Sequence, residues 1–197
     1  MIEAVTLGLV ATGAVSIGVA AIVGAVGRGI EIFGSPVAVS LPVEGASMRS
    51  LTDASGVAAA EYTQSLVSFE TLEAGTRWLL LLEAALPALA TVLVCMSLWW
   101  LGFSLIRQRA FRRSMAPVLG TAAISLVVAG MIGPLFGGIG RAQIVEQLTA
   151  SGGDTSEFWA FVVEANLAPL GWGIALALVA TAFEVGQRLQ RETEGLV

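Results

Sequence analysis

The chain has 197 residues, 56% of them hydrophobic and 13% charged, and a mean hydropathy of +0.84. Soluble domains carry about 25% charged residues, and disordered chains are charge-rich and apolar-poor, so the composition excludes both. With no His, one Cys and ten basic residues that are all Arg, imidazole and lysine chemistry, zinc clusters and a disulfide within one chain are excluded too.

The net charge of −5 does not mark an acidic partner surface, because the carboxylates are scattered through the connections. The Arg residues do not form the broad basic face with accessible aromatics that nucleic acid requires. We therefore expect no catalytic residue, metal, cofactor or direct nucleic-acid contact. The expected class is an all-α membrane protein, a four-helix transmembrane bundle with a small hairpin-like extracytoplasmic cap, in a single domain over residues 1–197.

A membrane-spanning helix needs about 20 mostly apolar residues. Residues 5–27 carry no charge and form the first span. They lack the basic flank of a secretion signal and are longer than its apolar run, so this span reads as a retained anchor. Along it Ala4, Gly8, Thr12, Ser16, Ala20 and Gly24 recur every four residues. All are small, and such a stripe lets another helix approach closely, in the same chain or in another.

Residues 28–76 form the extracytoplasmic insert. Val37, Val39, Leu41 and Val43 alternate on one face of an extended strand, with Pro36 and Pro42 suited to an edge or strand end. A turn-rich stretch at 53–56 follows. Residues 57–69 fit a strand or a helix by periodicity; Thr, Val, Tyr and Phe favour the strand. A hairpin or three-stranded cap of this size cannot bury a core alone and should rest on the helix ends.

Span two covers residues 78–106, with Cys95 inside it as a small apolar filler. The link 107–113 holds Arg107, Arg109, Arg112 and Arg113. Span three covers 115–140, and its outer end, 130–140, has five Gly and one Pro. Broken helices bind substrate in many transporters. This run lies at the end of the apolar segment, however, and reads better as a frayed or kinked outer end. Residues 141–150 suggest a short amphipathic helix, and Asp154 with Glu157 suggests the start of span four, 158–186.

Arg-rich links stay in the cytoplasm. The 107–113 link outweighs the others, so it is cytoplasmic, and with four spans both termini are too. Its four Arg are the candidate cytoplasmic contact. Glu83 and Glu164 lie near the outer ends of their spans, where carboxylates are hydrated or ion-paired, with Arg77 and Arg141 as nearest partners. With Asn166 they could form an outer polar cluster. Glu184 lies near the inner end, one turn from Arg188. The Trp residues at span ends read as interface anchors.

The chain ends Ala182-Phe-Glu-Val-Gly-Gln-Arg-Leu-Gln-Arg-Glu-Thr-Glu-Gly-Leu-Val197. This end resembles that of the YoaS-like family of four-span bacterial membrane proteins, a domain of unknown function. The order of span, strand-rich segment, helical hairpin with a basic turn and last span is also similar over nearly the whole chain. The family's turn often reads Gly-x-Pro-Phe; here it is Arg109-Ala-Phe111. The resemblance implies a bacterial inner membrane and, since members neighbour small helix-turn-helix regulators, a membrane partner for such a regulator. From these readings we expect a non-enzymatic protein in the cell membrane that acts through protein contacts, as regulator partner or accessory subunit, and is able to form homo-oligomers. The alternative is a small oligomeric transporter using polar residues of spans two and four.

Overall fold

The computed structural model describes residues 2–47, 61–106 and 115–194. Helix α1 (Ile2–Phe33) leads into an antiparallel pair, β1 (Val37–Ser47) and β2 (Glu61–Phe69). Helices α2 (Ala74–Ile106), α3 (Met115–Ala150) and α4 (Ala168–Glu194) follow. All four helices are long and apolar enough to cross a membrane. Among the described residues the fold is thus four helices able to span a membrane with one small two-stranded sheet. The Arg107, Arg109, Arg112 and Arg113 link and the 53–56 turn lie outside the described residues.

The helices overrun the uncharged segments. At 1.5 Å per residue, the 36 residues of α3 extend roughly 54 Å, well beyond a hydrocarbon core of about 30 Å. Helix α1 runs to Phe33 and α2 begins at Ala74, so helix extends into both ends of the 28–76 insert. Residues 141–150 are no separate helix; they are the last turns of α3. Span four is corrected the other way. Residues 158–167 are not helical, and α4 starts only at Ala168, where the Asn166 Oδ1 accepts the Ala168 N–H at 2.9 Å. Asp154 instead closes a local turn by accepting the Ser156 N–H at 3.0 Å.

By internal contacts the chain forms two compact units. One comprises Met1–Val26, Ala84–Gly133 and Ala165–Val197; the other comprises Gly27–Glu83 and Pro134–Glu164. In the first, buried side chains are mostly small: Ala14, Ala90, Cys95, Ala122, Ala123, Ala129 and Ala180. Backbones meet at glycines. A Cβ on Gly18 would sit 3.4 Å from the Cys95 Cβ, one on Gly130 3.0 Å from Pro169, and one on Gly173 3.0 Å from the Ala123 carbonyl. Close backbone approach is how helices associate in lipid, where tails offer no hydrophobic drive between them.

The second unit holds the larger core. Val37, Val39 and Leu41 of β1 are buried with Ile32 of α1, Leu72, Leu80 of α2 and Ile144 of α3. The alternation read from sequence therefore points inward as expected, and the hairpin rests on helix residues. Val39 pairs with Val67 and Val37 with Phe69. The register shifts between Pro42 and Ala46, with Gly45 at φ +55°; a left-handed backbone of this kind favours glycine. Between Pro42 and Ala46 the chain pairs elsewhere: the Glu44 N–H donates to the Glu157 carbonyl at 2.8 Å, and the Trp159 N–H to the Pro42 carbonyl at 3.2 Å; pairing with β2 resumes at Ala46 and Ser47.

Candidate functional site

Helix α3 carries Gly137, Gly138 and Gly140 in its C-terminal half, and the run is helical throughout. Of the frayed or kinked end expected from sequence, fraying is absent: the helix is continuous, with Pro134 inside it. The glycines strip one side of α3 to backbone, and neighbours settle there. A Cβ on Gly137 would overlap the Glu83 carboxylate; one on Gly138 would lie 3.0 Å from the Val162 carbonyl; one on Gly140 would lie 3.3 Å from Leu80.

The Glu83 carboxylate placed on Gly137 accepts from Arg141 Nη2 at 2.6 Å, one turn further along the same helix. Arg141 is 17% exposed and Glu83 28%. A pair this enclosed is held against its desolvation cost by close geometry, and loss of one partner strands the other charge. The Arg141 Nη1 atom is buried without a hydrogen-bond partner, so this guanidinium has donor capacity left over.

Arg77 does something else. Its Nη1 donates to the carbonyls of Ile32 and Gly34, both at 3.2 Å, and its Nε to the Leu72 carbonyl at 3.3 Å. The last carbonyls of a helix have no partner within it and carry partial negative charge. Arg77 thus closes the end of α1 and ties it to α2. Thr76, 2% exposed, donates to Gln143 of α3 at 3.0 Å.

The polar residues singled out from sequence take three different partners. Glu83 pairs with Arg141, not Arg77. Glu164 is exposed and accepts from Gln64 Nε2 of β2 at 3.1 Å, not from Arg141. Asn166 caps α4. No hydrogen bond among Glu83, Glu164 and Asn166 is present in the described residues; each bonds to a different partner.

The small-residue stripe of α1 makes no close contact within the described residues of one chain. Thr12, Ser16, Ala20 and Gly24 are exposed, and Gly8 is half-buried. A Cβ on Gly8 or Gly24 would meet nothing within 4 Å. The Thr12 and Ser16 hydroxyls donate back to the carbonyls of Gly8 and Thr12. The packed positions are Ala14 and Gly18, flanked by the half-buried Ala11, Ala21 and Ala25. That seam alternates three- and four-residue steps, the spacing that keeps residues on one side of a 3.6-residue helix. A strict four-residue step drifts around the helix.

Helices α3 and α4 border a groove of about 1010 Å³. Ala116, Gly120, Ile124, Val128, Ile174 and Ala177 line its apolar length, and Thr181, Glu184, Gln187 and Arg188 its polar end. The sequence reading placed Glu184 and Arg188 near one span end but did not anticipate this groove. No family model, no curated protein and no solved structure matches the chain.

Proposed function

We propose that this integral membrane protein is non-enzymatic and acts through protein contacts, as an accessory subunit of a membrane complex or the membrane partner of a small helix-turn-helix regulator. The observation that carries this reading is the use of Glu83, Glu164 and Asn166. Each is occupied by a structural partner, through Arg141, Gln64 and the α4 backbone. Transport by ion or proton coupling needs a polar site near the bilayer midplane that exchanges partners.

In this proposal the chain sits in the cell membrane with both termini and the Arg107–Arg113 link in the cytoplasm. Arg107, Arg109, Arg112 and Arg113 are then the contact offered to a cytoplasmic partner. The resemblance of the chain's end to the YoaS-like family supports the same reading. Affinity purification from native membranes tests it: a stoichiometric partner should co-purify and be lost when the four Arg are changed to Gln. Retention of the partner by that variant removes the role of the link.

The second reading, a small transporter, draws on the α3–α4 groove with Glu184 and Arg188 at one end. Reconstituted vesicles decide between them. A pH-driven flux abolished by Glu83→Gln or Glu184→Gln would establish transport.

A further inference from the structure

Helices α3 and α4 run antiparallel, since Gly130 meets Pro169 and Gly173 meets Ala123. The groove they border lies wholly within the first of the two units. It is not uniform along its length. At Gly173 a Cβ would lie 3.0 Å from the Ala123 carbonyl, whereas at Gly120 a Cβ would meet nothing within 4 Å. The groove therefore widens from Gly173 towards Gly120 and the charged end. Ile124 and Ile174 on its walls are exposed, so it opens sideways to whatever surrounds the helices. Its charged end is also where the apolar segments stop. Helix α4 has no charge from Ala168 to Phe183 and then presents Glu184 and Arg188, while α3 begins at Met115, directly after Arg112 and Arg113.

We propose that this groove binds one phosphatidylethanolamine molecule, with an acyl chain along its apolar length, the ammonium on Glu184 and the phosphate on Arg188. Three observations choose this occupant. First, the order of chemistry: both walls are helices able to span a membrane, and the groove passes from apolar to charged where the hydrocarbon ends, as a lipid passes from chain to headgroup. Second, length. From Ala116 to Val128 helix α3 rises ~18 Å, close to the ~15 Å of hydrocarbon in one leaflet, half of a core of about 30 Å. A spanning helix of a second copy would have to run the full core, beyond the point where the groove ends.

Third, charge. Glu184 is exposed and makes no hydrogen bond or ion pair among the described residues. A carboxylate at the edge of a span is stabilised by a cation, and an ethanolamine headgroup brings one with N–H groups to donate. Its phosphate is joined to that cation by a short linker, just as Arg188 lies one helical turn from Glu184. The guanidinium fork suits phosphate, and its five donors allow a lipid contact beside any contact within the chain. An anionic glycerol headgroup offers Glu184 no cation, and a choline headgroup offers charge without an N–H. The site does not rest on the accessory or regulator role proposed above.

Native mass spectrometry of the purified full chain tests it, with phosphatidylethanolamine, phosphatidylcholine and phosphatidylglycerol of identical acyl chains as probes. The unaltered chain should retain one phosphatidylethanolamine, bound about tenfold more tightly than phosphatidylglycerol, the value of one hydrogen bond to a charged group. Glu184→Gln keeps the shape of the site and should erase that preference. Gly120→Leu fills open space and should abolish retention of every headgroup; Leu178→Phe, exposed and outside the groove, should leave retention intact. Melting curves check that each variant is folded, and Ala177→Leu on the facing wall replaces Gly120→Leu if that variant does not fold. Equal retention of the three headgroups identifies annular lipid only and overturns the proposal. So does tighter binding of phosphatidylglycerol, a preference that survives Glu184→Gln, or unchanged retention once the groove is filled.

Discussion

Glu83 and Glu164 show how one residue type takes opposite energetic roles. Glu164 is exposed and bonded to an amide, and Glu164→Gln should change stability by about 0–1 kcal/mol, as for exposed polar pairs. Glu83→Gln keeps an oxygen that can accept from Arg141 Nη2 but leaves the largely enclosed guanidinium charge without its counter-charge, and should cost about 3 kcal/mol. Thermal unfolding of both variants in one detergent checks the difference. Gly137→Ala should act through the same pair, because its Cβ displaces the Glu83 carboxylate. The double variant should then lose less than the sum of the single losses, and a double-mutant cycle reads that coupling. Gly120→Ala, with open space at its Cβ, is the neutral control. Asp154 offers a pH reading. The Ser156 backbone N–H and then its side chain hold the Asp154 carboxyl below its usual pKa. A lowered folded-state pKa means that the turn's support is present above the ordinary value and lost only as pH falls through the lowered one. The carboxyl carbon resonance in NMR should titrate below that of a free aspartate.

Helix α1 carries two small-residue patterns, and only contacts distinguish them. Both are compatible with close packing, but among the described residues Gly8 and Gly24 have nothing near a Cβ position and Thr12, Ser16 and Ala20 are exposed, whereas Ala14 and Gly18 are buried. Gly18→Leu should therefore cost about 1–3 kcal/mol, the range for overpacking a filled site. Ser16→Leu should be tolerated by the isolated chain. Melting curves of the two variants test the assignment; equal losses would show that the four-residue stripe also packs. The same logic explains the Gly-rich end of α3. Glycine lowers helix propensity, which suggested fraying, yet here neighbours lie against the bare backbone and hold the helix together. The strands were more legible. Alternation at Val37, Val39 and Leu41 has one physical reading, since one side of a pleated strand must be buried. In the region from residue 57 to 69, where strand and helix periodicities competed, β-branched and aromatic residues decided correctly for the described part, Glu61–Phe69.

At the scale of the molecule, low burial and high apolarity occur together. Only 11% of the α1 span and 28% of the α3 span are buried within the chain, while Leu9, Ile17, Val23, Leu178 and Trp172 are exposed. In water such a surface would aggregate; in a bilayer it meets lipid. Topology is the property to measure. In a Cys95→Ala background, a cysteine at Ser114 should be protected from an impermeant thiol reagent in intact cells, and one at Ser50 should react. The reverse pattern would invert the proposed orientation and move the Arg link to the other side of the membrane.

The sequence by itself determined that four segments can cross a membrane, because the cost of charge in hydrocarbon acts on every residue of a span regardless of its neighbours. It determined the inward face of β1 for a similar reason, a local period matched to one buried side. It did not determine which helices touch, where α4 begins, or what Glu83 meets. Those follow from contacts between segments distant in the chain. Glu83 and Arg141 are 58 residues apart, and Gly18 and Cys95 further still. Only the tertiary structure decided that a glycine of α3 makes room for a carboxylate of α2, because glycine records the absence of a side chain but not the identity of what takes its place.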